Sequence, residues 1–286
     1  NSFSPLKKED GFSGGVRLTR ETRKHKINFE YSYLGDDYRT DLGILRRIGA
    51  SKLAPYYEYT IFPKKSKLNN ISFGFYYWLW FKLNTSSENI LENNFNIPVT
   101  FTFNNQSEIQ LLYRQAHQFF KRDFDPTGIN NDNPLAGGKI YKSNYIQLAY
   151  ESNPTEKFYF TLSQNYGMFY DGNKYSFENS FNLRVQPRLS ASMIINYDII
   201  KLRHLKDYSK LWLVGPKIDY TFNKKLFWSN LIQFSSQSEN FGINSRLQWR
   251  FSGLSNLFLV FNDNYLVKDE LIPRMRSFNL KLLHWF

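Results

Sequence analysis

The sequence predicts an all-β fold, an antiparallel transmembrane β-barrel with about 15 strands in this chain and about 16 or more when complete. Three observations lead to this prediction. Runs of roughly ten residues alternate apolar and polar side chains, short polar turns separate the runs, and Phe, Tyr and Trp together make up 19% of the 286 residues. Aromatic residues are enriched at membrane–water interfaces because their rings are apolar and their polar edges favour water.

The clearest alternation lies in residues 241–251. One face would carry Phe241, Ile243, Ser245, Leu247, Trp249 and Phe251, and the other Gly242, Asn244, Arg246, Gln248 and Arg250. Successive side chains of a strand point to opposite faces, so a strand of this kind can cross a bilayer without being apolar overall. A transmembrane barrel is therefore compatible with a mean hydropathy of −0.52.

Alternation and turn residues together place the strands along the chain. The predicted strands are 12–22, 24–34, 52–62, 70–83, 93–103, 107–119, 140–152, 157–170, 174–186, 189–202, 211–222, 225–237, 241–252, 256–266 and 275–286. The connections alternate between short and long, which is typical of barrels with tight periplasmic turns and longer outer loops. The long ones are 35–51, 121–139, 202–211 and 267–275.

The count of strands also predicts that the barrel is incomplete in this chain. The last strand ends in an aromatic residue, Phe286, which is the expected assembly signal and is expected at the periplasmic rim. Counting back from it places residues 1–11 on the outer side. We therefore expect residues 1–286 to be a single outer-membrane barrel domain, the C-terminal part of a larger protein with upstream strands and any periplasmic domain absent. A miscounted hairpin near 35–51 is the alternative.

Composition excludes several other classes. No segment reaches the ~20 apolar residues that a spanning helix needs, and the absence of Cys removes disulfides and thiolate sites. A soluble β-sandwich or barrel of this length is the main alternative, but the high aromatic content disfavours it. The net charge of +12 comes from Lys and Arg scattered over turns and strand faces, so we expect anionic lipids or solutes as counterparts and no nucleic acid.

Four stretches resemble a known family: Asp41–Arg47, Asn230–Ser252, Asn256–Tyr265 and Leu280–Phe286. They are similar to a Bacteroidota outer-membrane family in which a periplasmic carbohydrate-binding domain, itself similar to family nine, precedes a large barrel domain of unknown function. The resemblance covers about residues 30–286. It implies an outer-membrane barrel with an upstream part, and it supplies no activity or catalytic residues. His284 departs from the apolar residue expected two positions before the terminal aromatic.

Charged residues opposite the apolar face are the candidate site. Lys or Arg facing lipid near the bilayer centre would cost about 2–4 kcal/mol each, so these residues are expected to face the lumen. The lumen-facing candidates are Arg17, Lys26, Glu30, Glu58, Arg114, Glu178, Arg184, Arg246, Arg250 and Lys281. They predict a mixed lumen with a basic bias that favours anionic solutes if it is open. Charge pairing within a plugged barrel is the alternative.

No catalytic, cofactor or transition-metal motif is present in the sequence. The loop 121–139 is rich in Asp and Asn oxygens of the kind that bind Ca²⁺, but it lacks the closing bidentate Glu of a calcium loop. We expect a solvated turn there, no cofactor, and no enzyme, an outer-membrane hydrolase being the residual alternative.

The function expected from the sequence is a porin-like channel or transporter in the outer membrane of a Gram-negative bacterium. The alternative is a non-conducting barrel subunit that anchors a membrane protein complex for secretion, barrel assembly or surface-glycan handling. Expected partners are the lipid bilayer and lipopolysaccharide, the barrel-assembly machinery during insertion, and other outer-membrane proteins.

Overall fold

The computed structural model describes residues 11–38, 47–82, 90–129 and 134–285. These residues form one fifteen-stranded sheet in which each strand pairs antiparallel with the next along the chain. The strands are β1 Ser13–Glu21, β2 His25–Leu34, β3 Ala50–Ile61, β4 Leu68–Phe81, β5 Ile90–Phe103, β6 Glu108–Phe120, β7 Lys139–Glu151, β8 Phe158–Phe169, β9 Gly172–Val185, β10 Leu189–Lys201, β11 Ser209–Asn223, β12 Leu226–Ser235, β13 Asn240–Arg250, β14 Asn256–Val267 and β15 Leu271–Leu283. The predicted all-β antiparallel class and strand number are confirmed. Within these described ranges, no helix is long and apolar enough to cross a membrane.

The connections separate into a loop edge and a turn edge of the sheet. The loop edge carries the connections that follow β2, β4, β6 and β10, together with three tight turns, whereas no connection at the turn edge exceeds six residues. Three of the four predicted long loops are therefore confirmed. The fourth, 267–275, is wrong because β14 ends at Val267 and β15 begins at Leu271. A register shift after Asn264 interrupts the alternation there, so the sequence pattern hid the start of β15.

The sheet is open over the described residues. The sequence predicted an incomplete barrel, and that these strands belong to a closed one stays a prediction. β1 and β15 stand at the two ends of the strand order, and each has one neighbour among the described residues. Because every neighbouring pair is antiparallel, these two odd-numbered strands run in the same direction. Direct pairing between them would be parallel, so antiparallel closure needs an odd number of further strands.

The two faces of the sheet differ in the way that the sequence predicted. The apolar face carries residues such as Ile146 and Leu148 of β7, which are 63% and 50% exposed in the middle of the sheet. Only seven hydrophobic residues are buried in the described part of the chain, and large exposed ones outnumber them several-fold. A water-soluble protein of this length would bury most of its large apolar side chains.

Burial within the strands concentrates on the opposite, polar face. The strand residues that are buried lie on the polar face with the exceptions of Ser51 and Asp263, and many of them are polar, including Glu92, Asn94 and Ser176. Side chains on a concave face crowd one another, while those on a convex face spread apart. The sheet is therefore curved, with the polar face inside.

Candidate functional site

The strand register brings all ten predicted charged residues to one face. Directly opposed residues of neighbouring strands share a face, and the unbroken series of pairings connects Arg17 on β1 to Lys281 on β15 through every intervening strand. The face contains Arg17, Lys26, Glu30, Glu58, Arg114, Glu178, Arg184, Arg246, Arg250 and Lys281. That this face lines a lumen stays a prediction. Phe286 lies outside the described residues.

On β1 to β3 the charges are paired with one another. Glu30 accepts hydrogen bonds from Arg17 at 2.5 Å and from Lys52 at 2.8 Å, and Lys26 lies 3.4 Å from Glu58. These contacts run across three strands. Charge on this part of the polar face is therefore largely neutralised locally.

The polar face of β6 to β10 contains a cavity of about 470 Å³, and the charged residues that line it are all acidic. Glu108 and Glu151 face each other directly across β6 and β7, and Glu178 lies on β9. The cavity walls also contain Gln147, whose amide donates to Ser163 at 2.8 Å. The cavity lies toward the turn edge, and carboxylates, amides and hydroxyls make up most of its lining.

On β12 to β15 the polar face is basic. Arg246, Arg250 and Lys281 are its charged residues, and the described polar-face positions of these four strands carry no Asp or Glu. The Arg250 guanidinium lies 5.7 Å from the centre of the Phe227 ring, and Arg246 faces Ser229, which donates to Asp219 at 2.5 Å. The charged residues on the polar face of these four strands are therefore all basic.

The other two predicted arginines make local contacts. Arg114 on β6 donates to the Tyr145 hydroxyl at 3.0 Å. Arg184 on β9 donates to the carbonyl of Pro154 in the turn that follows β7, and its guanidinium lies 4.6 Å from the centre of the Tyr159 ring. Both side chains are held by aromatic neighbours on the same face.

At the loop edge the polar face is covered by an aromatic cluster, defined by Phe120, Phe124, Tyr141 and Tyr170. Phe124 stacks on Phe120 with ring centroids 3.7 Å apart and lies 5.2 Å from Tyr170. Burial, together with the charge of Glu92, raises the pKa of the Tyr170 hydroxyl above its ordinary value. The cluster covers the loop-edge end of the face at β6 to β9 with apolar surface.

An apolar core adjoins this cluster. Ile200, Leu202 and Leu211 are its buried members, and Phe169 packs against them. The sequence analysis chose its site candidates by their charge, so it missed both of these uncharged groups. Phe124 and Leu202 also lie in connections, outside the alternating strands. Large apolar residues inside otherwise polar loops were the signal that could have found them.

In the loop 121–139, the acidic side chains that the structure describes accept hydrogen bonds from other residues of the same loop. Asp123 accepts a hydrogen bond from the Gly137 amide at 2.6 Å, and Asp125 accepts from the Thr127 amide and hydroxyl at 2.8 and 2.7 Å. Asn130, Asn131, Asp132 and Asn133 lie outside the described residues. Where the chain is described, no group of three or more His, Asp or Glu side chains could hold a metal.

An Asp–His pair that the sequence did not reveal lies at the loop edge. Asp171 Oδ2 and His204 Nδ1 are 2.8 Å apart, joining the turn between β8 and β9 to the connection between β10 and β11. Such pairs occur in hydrolytic sites, but His204 Nε2, the atom that would contact a nucleophile, has no hydrogen-bond partner among the described residues. The pair serves here as a contact between two connections.

A family model decides the relationship of this chain to known proteins. The model for a domain of unknown function, DUF5916, matches residues 1–213, about three quarters of the chain.

The chain belongs to the DUF5916 family. The matched range includes Asp41–Arg47, one of the stretches on which the resemblance was based, and ends before the stretches in residues 230–286. No curated protein and no solved structure matches. Family membership gives no activity, so function is inferred below from the sheet itself.

Proposed function

We propose that this DUF5916 chain is part of an outer-membrane β-barrel that acts as a channel or transporter, with the polar face as its lumen. The observation that carries the proposal is the distribution of side chains over the curved sheet, which is the reverse of that in a water-soluble protein. Polar and charged residues line the concave face, and exposed apolar residues cover the convex face. A bilayer is the solvent that suits this arrangement.

The open edges support a larger barrel. In a bilayer an unpaired strand edge leaves backbone groups without hydrogen-bond partners, at a cost of several kcal/mol each. The parallel orientation of β1 and β15 favours closure by an odd number of further strands. We place those strands upstream of this chain, as the resemblance implies, and a carbohydrate-binding domain before them in a Bacteroidota protein.

The proposed location sets the partners. The membrane is the outer membrane of a Gram-negative bacterium, lipid and lipopolysaccharide contact the apolar face, and the barrel-assembly machinery recognises Phe286 as the assembly signal. Other outer-membrane proteins are the remaining proposed partners. We propose no enzymatic activity and no cofactor.

The basic strands β12 to β15 would give the lumen its selectivity. Arg246, Arg250 and Lys281 lie on the polar face without acidic neighbours on the same four strands, so their summed field attracts anions. The charges on β1 to β3 are paired and contribute less. The solute is therefore proposed to be anionic.

A second candidate is supported by the covered loop edge. The aromatic cluster and the core at Ile200, Leu202 and Leu211 fill one end of the polar face. A barrel whose lumen is blocked conducts nothing, and its role would be to anchor a membrane protein complex for secretion, barrel assembly or surface-glycan handling.

Two neighbouring positions on β7 test the membrane assignment. Leu148 lies on the apolar face and Gln147 on the polar face, and the absence of native Cys allows single nitroxide labels at each. In lipid vesicles we expect the label at Leu148→Cys to collide mainly with oxygen and the label at Gln147→Cys mainly with a water-soluble relaxation agent. Aqueous collisions at both positions would contradict the proposal.

Conductance in planar bilayers separates the two candidates. Anion-selective current steps that shift toward cations in the Arg246→Glu/Arg250→Glu variant would support the channel. The control is Arg20→Glu/Arg23→Glu, which changes the net charge equally, since Arg20 lies on the apolar face and Arg23 in the first turn. Silence of the native protein, with intact membrane insertion, would favour the non-conducting role.

A further inference from the structure

The connection from β6 to β7 crosses from its own hairpin to a distant one. Gln237, in the turn between β12 and β13, donates its amide to the Thr127 carbonyl at 2.8 Å. Five strands, β8 to β12, separate β7 from β13 along the sheet. At about 4.8 Å per strand this is more than 20 Å along the curved surface. A loop that reaches so far runs across the concave side.

The described parts of this connection, residues 121–129 and 134–138, form an organised strap. Phe124 and Leu135 pair as an isolated antiparallel bridge, with backbone hydrogen bonds of 3.0 and 2.8 Å. Thr127 is completely buried and Leu135 is 5% exposed. A solvated loop would leave both side chains exposed, so the strap is packed against the sheet.

The strap lies over the polar face. Its Phe124 contacts Phe120 and Tyr141, and the register places both of these residues on the polar side of β6 and β7. The Tyr141 hydroxyl donates to the Ala136 carbonyl at 2.9 Å, which ties the second half of the strap to the same side.

The backbone at Gly128, beside Thr127, accommodates the contact of the strap with Gln237. Gly128 has a φ of 69°, a conformation that favours glycine, and a Cβ at this position would lie 3.0 Å from the Gln237 amide nitrogen. The glycine therefore allows both the turn and the close approach of Gln237. These features are local to the contact and independent of the packing around Phe124.

We infer that the strap, residues 121–129 and 134–138, occludes the loop-edge mouth of the polar face and that the Gln237–Thr127 hydrogen bond latches it. The inference rests on the proposed channel function, because an occlusion matters only where solutes would pass. The strap would then control passage through the channel: its release would open a path along the polar face from the cavity near the turn edge to the loop edge.

Crosslinking tests the position of the strap without any measurement of transport. A short thiol-specific crosslinker should join the Thr127→Cys/Gln237→Cys pair efficiently in native membranes. The control pair, Thr127→Cys/Glu270→Cys, uses the next turn along the same edge and should react much less. Equal or absent crosslinking of the two pairs would overturn the inference.

Conductance tests the effect of the strap. Replacing residues 126–135 by a short Gly-Ser linker should raise single-channel conductance severalfold. Gln237→Ala should give more frequent openings, with Gln233→Ala on the polar face of β12 as its matched control. Unchanged, measurable conductance in the strap variant would overturn the inference and leave the channel standing. Silence of both native and strap-deleted proteins, with crosslinking intact, would overturn the channel and the occluding role together.

Discussion

Ile194 and Ile200 occupy the same face of the same strand, β10, yet Ile194 is 46% exposed and Ile200 is 1% exposed. Ile194 lines the polar cavity toward the turn edge, and Ile200 belongs to the core at the loop edge. Alternation along the strand treats the two positions alike. The difference arises because long connections cover the loop-edge end of the face and short turns leave the other end open.

The two ends also differ in the charges that they hold. Near the loop edge, Lys174 and Asp198 form a 2.8 Å pair with side chains 28% and 26% exposed. Toward the turn edge, Lys217 and Asp219 form a 2.9 Å pair with side chains 47% and 42% exposed. Water therefore screens the ion pair toward the turn edge more strongly than the ion pair near the loop edge. One face therefore combines a packed end with an open end.

The largest expected effect tests this difference in packing. Ile200→Ala should lower the free energy of unfolding by about 2–5 kcal/mol, because it leaves a cavity in a closed apolar core. Ile194→Ala, on the same face and strand, should cost less than about 1 kcal/mol since its side chain is already half exposed. Denaturant unfolding in detergent or lipid measures both. Equal losses would show that the two ends are packed alike.

A smaller effect is expected from the ion pairs. In double-mutant cycles with Lys→Met and Asp→Asn changes, the Lys174–Asp198 pair should show a coupling energy of about 1 kcal/mol. The Lys217–Asp219 pair should show about 0.2 kcal/mol, the lower limit for exposed pairs. The pair at the loop edge should also lose less of its coupling in high salt. A stronger Lys217–Asp219 coupling would contradict the comparison.

The smallest effect concerns pH at the packed end. The pKa of Tyr170 is raised above its ordinary value of 10.0, chiefly by burial, so the unfolded chain loses this proton first. The stabilisation is therefore complete below pH 10 and is lost as the pH rises through the folded pKa. Unfolding midpoints measured from pH 8 to 11 should fall less steeply in Tyr170→Phe than in the native protein.

The control for the pH experiment is Tyr208→Phe, at the same edge. Tyr208 is 61% exposed, so its loss should leave the alkaline decline of stability unchanged. A native-like decline in Tyr170→Phe would show that this buried hydroxyl does not control the packed end at high pH.

Local pattern was sufficient to predict the strands and their two faces. Alternation along Phe241–Arg250 and around Arg114 depends only on neighbours two residues apart, and these positions lie on the predicted faces of β13 and β6. The final hairpin was misjudged because the register shift near Asn264 and the run Leu271–Arg276 break the period of two. A bulge inserts a residue that no alternation pattern anticipates.

The residues of the site were only partly predictable. Arg246 and Arg250 follow from alternation, but their separation from the acidic group of Glu108, Glu151 and Glu178 depends on which strands are neighbours. The packed loop edge depends on contacts between residues far apart in the chain. Gln237 and Thr127 meet across 110 positions, and no local pattern in either segment indicates the other.

The sequence by itself determined that this chain forms antiparallel strands with one apolar and one polar face, because side-chain direction in a strand alternates with every residue. The tertiary structure decided that the sheet curves with its polar face inside, that its ends stay open over the described residues, and that the connection after β6 packs against the polar face and reaches Gln237. These properties arise from twist, strand order and long-range contacts, which act between segments and leave no periodic mark within any one of them.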